Sequence, residues 1–156
     1  MVFARVTVPP PGLVIILAPN HTGLWRVESG VSLWEAGAFR TPLGEVPIDT
    51  EAAQTMREIS KGLIEVDHDA HRGEHAIEVE LPFLQLLRTD VRIVPLVIAW
   101  DAWQPARLLG EVLAQVIRAA AEPVLLVPSS DLNHYEPAAA SEKKDAMALE
   151  AIRALD

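Results

Sequence analysis

The sequence predicts an α/β fold in which helices flank a mostly parallel sheet. One observation is a set of three short apolar runs, which have the character of strands buried on both faces. They cover residues 13–18, 91–99 and 123–128. The second observation is that the last two runs each follow a segment with helical periodicity, an alternation that is typical of α/β proteins.

The first run, LVIILA at 13–18, consists almost entirely of branched apolar residues and is followed by Pro19. Such a run predicts a central parallel strand, because both of its faces must be covered. It follows a run of three prolines at 9–11. Since proline interrupts regular structure, residues 1–11 are expected to be a loose lead-in.

Helices are predicted at 49–61, 74–88, 104–121 and 137–155. Asp49 is suited to cap the first of them, and Gly62 follows its end. The third has an apolar stripe at helical spacing that would lie on a sheet. Between the first strand and the first helix, the Gly and Pro spacing of 31–44 indicates a hairpin or irregular strand pair that ends in a turn at 41–44.

Composition limits the partners. The 156 residues are 50% hydrophobic and carry a net charge of −9, which favours one globular domain and makes nucleic acid an unlikely partner. There is no cysteine, so disulfides and thiolate ligands are excluded within this sequence. The N-terminus fits neither a signal peptide nor a membrane-spanning helix, and we therefore expect a cytoplasmic protein that has no membrane partner.

Polar residues follow the first and third strands, where α/β sheets bind ligands. Asn20 and His21 follow the first strand, and the segment SSDLNHY at 129–135 follows the third. His21 suits a metal ligand, a general base or an ordinary loop histidine equally well. Ser129 and Ser130 suit helix caps. A nucleophilic Ser130 with His134 as its base is disfavoured, because no G-x-S-x-G elbow surrounds it.

The richest cluster of imidazoles and carboxylates is DHDAHRGEHAIE at 67–78. Its spacing matches neither H-E-x-x-H nor the H-x-H-x-D-H pattern of metallo-β-lactamase-like hydrolases. For His68 a solvated loop is the simpler interpretation, with Glu74 favoured by the dipole of the following helix. His75 and Glu78 are stronger candidates, since they are predicted to share one face at the start of that helix.

Four motifs in order resemble the Memo family, called AmmeMemoRadiSam system protein B in bacteria and archaea. They are APNHTG, TPLGEVPID, HRGEHAIEVELPFLQ and VPSSDLNHYE, and the resemblance extends from residue 13 to residue 156. It implies a three-layer α/β fold like that of the class III extradiol dioxygenases and a pocket for non-haem iron or copper. His21 matches a metal ligand of that pocket. Asp131 and His134 match an element that lines it, and His75 lies in another, in which Glu78 is structural.

The chain departs from the family at both ends. The family's upstream histidine segment A-P-H-A-G-Y has no counterpart, and its downstream cysteine is missing. We therefore expect a single Memo-like domain over 1–156 that is incomplete at both ends. Iron or copper would be held weakly, unless Asp131, His134 or His75 replaces a missing ligand.

Three functions remain open. The first is a redox metal site of dioxygenase type, in which His21, a second imidazole and Asp131 bind the metal, and His75 or His134 acts as acid or base towards a small substrate. The second is a non-catalytic interaction or accessory module that uses tryptophans near loops, namely Trp25, Trp34, Trp100 and Trp103. The third is metal-dependent hydrolysis. Unpaired sheet edges also predict self-association.

Overall fold

The computed structural model describes residues 12–154 and shows an α/β fold, as predicted. The main sheet consists of β1 (Leu13–Pro19), β2 (Val31–Leu33), β5 (Glu65–Val66), β6 (Arg92–Ile98) and β7 (Val124–Pro128). A separate hairpin is formed by β3 (Ala38–Thr41) and β4 (Gly44–Pro47). The helices are α1 (Thr50–Ser60), α2 (His68–His71), α3 (Leu81–Leu87), α4 (Trp103–Ala119) and α5 (Ala138–Ala154).

The five strands of the main sheet lie in the order β5-β2-β6-β1-β7. β1 is parallel to both of its neighbours, and β2 is antiparallel to β6 but parallel to β5. The sheet is therefore mixed and mostly parallel. The run at 13–18 forms an interior strand as predicted, with Val14, Ile15 and Ile16 fully buried.

β6 contains a proline inside an interior strand, a position where a missing N–H would normally break the ladder. The N–H of Arg92 donates to Gly12 on the β1 side, so the backbone groups of Pro95 point to the other side. There β2 pairs only with the stretch from Leu96 to Ile98. Pro95 therefore lies just beyond the end of β2, where no partner carbonyl needs its N–H.

Helices cover both faces of the sheet. On one face α1 and α4 pack on the strands through Met56, Leu109 and Leu113, which are all buried. On the other face α3 contributes Leu81 and Leu84, and the hairpin adds further apolar side chains. The predicted stripe of the third helix is thus the buried face of α4. Two half-cores separated by the sheet make the three layers.

Two predicted elements need correction. The hairpin lies at 38–47 instead of 31–44, because Val31–Leu33 joins the main sheet and the predicted turn connects β3 to β4. The helix predicted at 74–88 begins only at Leu81, with Pro82 in its first turn. The backbone N–H groups of His75 and Ala76 donate to the Glu74 carboxylate, which holds residues before the helix in turns.

The predicted lead-in at 1–11 and Leu155 of the last predicted helix lie outside the described residues. Within residues 12–154 none of the helices is both long enough and apolar enough to cross a membrane.

Candidate metal centre at the carboxyl ends of β1 and β7

The candidate site lies where β1 and β7 end side by side. Asn20 and His21 follow β1, and Asp131 is three residues beyond the end of β7. Because the two strands are parallel neighbours, the segments that follow them emerge at the same edge of the sheet. The N–H of Ser129 donates to the carbonyl of Leu17 at 2.8 Å, which extends the pairing to the start of the second segment.

His21 lies between two carboxylates. Its Nδ1 is 2.8 Å from Oε1 of Glu74, and its Nε2 is 2.8 Å from Oδ2 of Asp131. The hydrogen bond to Glu74 raises the pKa of His21, partial burial opposes this, and Asp131 adds to the increase. The site therefore favours a positive charge on the ring, and a proton and a metal ion compete for the same nitrogen.

Glu74 is a site residue that the sequence analysis missed. Its side chain is only 1% exposed. Burial acts to raise the pKa of this carboxyl, but hydrogen bonds from His21, His75 and Ala76 outweigh it and lower the pKa to about 2. The sequence signal that could have identified Glu74 is its position directly before His75 in the motif HRGEHAIEVELPFLQ. The sequence analysis instead explained Glu74 by the dipole of the following helix. Glu74 is a buried, ionised anchor for His21.

His75 is brought to the site and Glu78 is not. The His75 ring stacks on that of His21 with centroids 4.9 Å apart and planes 12° apart. Glu78 is exposed, and the two residues lie in turns before α3 rather than on a helical face. The expected shared face is therefore wrong. His75 covers one face of the candidate metal ligand.

His134 lies on the other side of Asp131. Its Nε2 is 3.8 Å from the same Oδ2 atom that meets His21. The ring of His134 contacts Tyr135, with centroids 4.5 Å apart. Of the predicted residues that follow β1 and β7, His21 and His134 thus both face the same oxygen, Oδ2 of Asp131. Ser130 accepts a hydrogen bond from the N–H of Leu132 and so has a local turn role.

Two donor sets in this region suit a metal ion. One ligand atom each from His21, Glu74 and His75 lie within 4.8 Å of one another. The Glu74 oxygens, however, already accept four hydrogen bonds, from the ring and backbone of His21 and the N–H groups of His75 and Ala76. The other set is His21, Asp131 and His134, whose three donor atoms do not all lie within 4.8 Å of one another. Two imidazoles and one carboxylate are donors that iron(II) accepts, so the residues present fit a redox metal.

A second histidine cluster lies apart from these donors. His68 pairs with Glu35 at 2.9 Å and stacks on Trp34. His71 is buried and its Nε2 lies 3.1 Å from the Ser32 carbonyl. Burial lowers the pKa of His71 to about 4, against the opposing effect of that hydrogen bond. The loop predicted to be solvated at His68 is therefore packed against an aromatic ring.

The four tryptophans divide into two groups. Trp25 and Trp103 are 47% and 75% exposed. Trp34 and Trp100 are partly buried beside the core, and Nε1 of Trp100 donates to the carbonyl of Ser29. Half of the set is therefore at the edge of the core, as an ordinary structural role would require.

The chain matches known proteins over nearly its whole length. The family model described as Memo-like protein matches residues 1–156. A MEMO1 family protein of Sulfolobus acidocaldarius is 42% identical over 147 residues, which are 94% of this chain and 50% of the relative. Others from Methanothermobacter thermautotrophicus and Methanopyrus kandleri are 38% and 43% identical, each over 94% of this chain and about half of the relative.

The chain thus spans about half the length of the curated relatives it matches. Identity of about 40% across 94% of its residues, together with a family match over the whole sequence, accounts for the four motifs and for the fold. This protein belongs to the Memo-like family.

Proposed function

We propose that this protein binds a divalent redox metal, iron or copper, and uses it in an oxidoreductase reaction of dioxygenase type on a small molecule. The observation that carries the proposal is the placement of His21, whose ring nitrogens each face a carboxylate. A metal-binding histidine commonly donates its second ring N–H to a carboxylate. Glu74 has that role here, which leaves Nε2 of His21 for the metal.

Asp131 and His134 complete the ligand set in this proposal. Oδ2 of Asp131 lies 2.8 Å from Nε2 of His21 and 3.8 Å from Nε2 of His134. Donors bound to one metal at about 2.0–2.2 Å lie roughly 3 Å apart, so Asp131 is already at about that spacing from His21, whereas His134 must move closer to both. The flat stacking of His75 on His21 directs its lone pairs into a parallel plane, which makes it a poorer ligand.

The bound metal would supply redox chemistry towards dioxygen and the substrate. The protein's part is to hold the ligands and to move protons. Glu74 fixes the His21 ring through bonds to its Nδ1 and its backbone N–H. His75 is exposed at the face of His21, and we assign it as the acid or base that acts on the substrate.

The test is elemental analysis after reconstitution with iron, copper or zinc. Near-stoichiometric iron or copper in the natural sequence, lost in His21→Ala and weakened in His134→Gln, is the expected result. His68→Gln is the matched control, because His68 pairs with Glu35 outside the site. The absence of specific metal from the natural sequence would overturn the proposal. Zinc together with ester cleavage would favour the hydrolase instead.

A second candidate, a non-catalytic interaction module, is favoured by one specific observation. Trp25 and its neighbour Leu24, which lie in the loop that follows His21, are 47% and 55% exposed, and exposed tryptophans are common anchors of protein interfaces. Specific partner binding that is lost in Trp25→Ala and persists in metal-free His21→Ala would favour this function over the first.

A further inference from the structure

The inference concerns the loop that follows β7, which carries two of the proposed metal ligands, Asp131 and His134. From residue 131 to residue 137 every side chain is exposed except that of Asn133, which is partly buried. Exposed side chains contribute little through burial of apolar surface. The conformation of this loop therefore depends on its hydrogen bonds and on its backbone preferences.

The backbone on either side of Asn133 adopts a conformation that its residues disfavour. The φ angle is +60° at Leu132 and +61° at Tyr135, in the left-handed region that is unfavourable for residues other than glycine. Neither side chain is buried, since Leu132 is 38% and Tyr135 is 98% exposed. Such a backbone persists only where surrounding contacts hold it in place. The loop thus requires a fixed point between these two residues.

Asn133 provides this fixed point through contacts with α5. Its backbone N–H donates to Oδ1 of Asp145, and its side-chain Nδ2 donates to Oγ of Ser141, both at 2.8 Å. The two acceptors are four residues apart and so lie on one face of the helix. The Asn133 side chain also forms a hydrogen bond with Glu136 in the same loop. Backbone and side chain of residue 133 are therefore held separately against one rigid element.

We propose that Asn133 is a positioning residue for the metal site. Its contacts with α5 hold Asp131 and His134 beside His21. Asp131 lies two residues before Asn133, and its Oδ2 is 2.8 Å from Nε2 of His21. His134 directly follows Asn133, and its Nε2 is 3.8 Å from the same Asp131 oxygen. The role of these residues towards a metal rests on the proposed function, whereas the placement of the loop can be measured without a metal.

The same contacts couple α5 to the metal site. Coupling between two sites is reciprocal, so docking of the loop on α5 that favours metal binding is itself favoured by the metal. The N–H of Asn133 reports this docking, because it donates to Asp145. Hydrogen exchange at this amide should slow by at least about fivefold when the chain is saturated with iron or copper, the lower end of typical coupling. An unchanged rate would contradict the coupling.

Titration of the full chain with iron or copper tests the role of the side chain. Asn133→Ala should lower the affinity about tenfold although all proposed ligands remain, as is typical when a supporting partner is lost. Ser141→Ala removes one acceptor of the Asn133 side chain and should have a smaller effect. The double variant should bind no more weakly than Asn133→Ala alone, because both changes remove the same hydrogen bond. Additive losses would overturn the proposal.

Lys144→Gln is the matched control on α5. It breaks the ion pair with Glu136 and leaves Ser141 and Asp145 in place. Because exposed ion pairs contribute little, its metal affinity should stay within about twofold of that of the natural chain. A loss equal to that of Asn133→Ala would mean that docking of α5 in general, and not Asn133, sets the affinity.

Nuclear Overhauser contacts in the metal-free chain separate this inference from the proposed function. The ring protons of His21 and the β protons of Asp131 should show a contact in the natural chain that is lost in Asn133→Ala and kept in Lys144→Gln. If the natural chain bound no metal but the contact behaved in this way, the proposed function would be overturned and the positioning role of Asn133 supported. A contact that persists in Asn133→Ala would overturn the positioning role, whatever the metal titration gives.

Discussion

Both oxygens of Glu74 accept hydrogen bonds from His21, one from the ring Nδ1 at 2.8 Å and one from the backbone N–H at 2.6 Å. The two residues are 53 positions apart in the sequence. These two hydrogen bonds join the loop after β1 to the turns before α3 and fix both the position and the rotation of the imidazole. The orientation of His21 is thus set by a buried side chain that we do not assign as a metal ligand.

Glu74→Gln should therefore weaken metal binding although the proposed ligands remain. An amide offers one oxygen, so one of the two His21 donors loses its acceptor, and loss of such a partner typically costs 10- to 100-fold in affinity. We also expect the free energy of unfolding to fall by about 2 kcal/mol, the scale of a hydrogen bond to a charged group. Metal titration and denaturant unfolding measure the two effects.

Glu78→Gln is the matched control for that prediction. It makes the same chemical change in the same motif, but Glu78 is exposed, and both measurements should be close to those of the natural chain. If Glu74→Gln abolished metal binding completely while His134→Gln had no effect, Glu74 would itself be a ligand.

The main features of the fold follow from local sequence. Residues 13–18, 91–99 and 123–128 are short, almost wholly apolar runs, and each forms a strand of the sheet. The hairpin predicted at 31–44 includes the residues of β2 but gives them the wrong partner, and β5 was not predicted, because strands of three and two residues carry too little periodic signal. β2 exists because β6 offers it a ladder of partners, and that information lies more than 60 residues away.

The part of the site that could be predicted is the part that depends on which strands are neighbours in the sheet. Placing candidates after strand ends selected His21 and Asp131, and the structure brings them together because β1 and β7 are neighbours. The same reasoning could not find Glu74, whose function depends on burial against a distant loop. It also placed His75 and Glu78 on a helix, because the sequence pattern does not show that hydrogen bonds to the Glu74 carboxylate hold the residues before α3 in turns.

The buried His71 predicts a loss of stability in mild acid. Burial lowers the pKa of His71 to about 4, from 6.5 in an exposed chain. The unfolded state therefore takes up a proton first, so the stabilising contribution is complete above pH 6.5 and is lost as the pH falls towards 4. The shift corresponds to about 3 kcal/mol. Unfolding curves recorded between pH 7 and pH 4 measure it.

His71→Gln should remove most of this slope, because its amide can still donate to the Ser32 carbonyl but does not titrate. His68→Gln provides the comparison: that side chain is 39% exposed and pairs with Glu35 at the surface. The pKa of His21 is shifted the opposite way, but its contribution is present in all three proteins and cancels in the differences. A slope that persists in His71→Gln would assign it to another group.

Gly30 should be far less tolerant of substitution than Gly23. Both have a positive φ, at +66° and +70°. A Cβ on Gly30 would lie 2.7 Å from Cδ1 of Trp100, whereas one on Gly23 has no neighbour within 4 Å. Gly23→Ala should thus cost only the backbone strain of about 1–2 kcal/mol. Gly30→Ala should cost more and should change Trp100 fluorescence, since Trp100 is held by the Ser29 carbonyl. Equal losses would mean that Trp100 moves aside freely.

Asp49 both caps a helix and forms an ion pair, one with each oxygen of its carboxylate. One of its oxygens accepts from the N–H of Ala52 at the start of α1, and the other accepts from Nε of Arg92, each at 2.9 Å. Capping side chains contribute about 1 kcal/mol. The Arg92 side chain is 40% exposed, so solvent screens the ion pair and its contribution should be smaller.

The relative size of the capping and ion-pair contributions predicts which of two Asp49 variants loses more stability. Asp49→Asn keeps a capping oxygen but places an amide NH2, which cannot accept, opposite Arg92, so it loses the ion pair alone and its free energy of unfolding should fall by less than about 1 kcal/mol. Asp49→Ala loses both contacts, and its free energy of unfolding should fall by about 1–2 kcal/mol. Denaturant unfolding at low and high salt distinguishes them, since screening affects only the ion pair. If Asp49→Asn were as destabilised as Asp49→Ala at low salt, the bond to Arg92, and not the cap, would be the main contribution of Asp49.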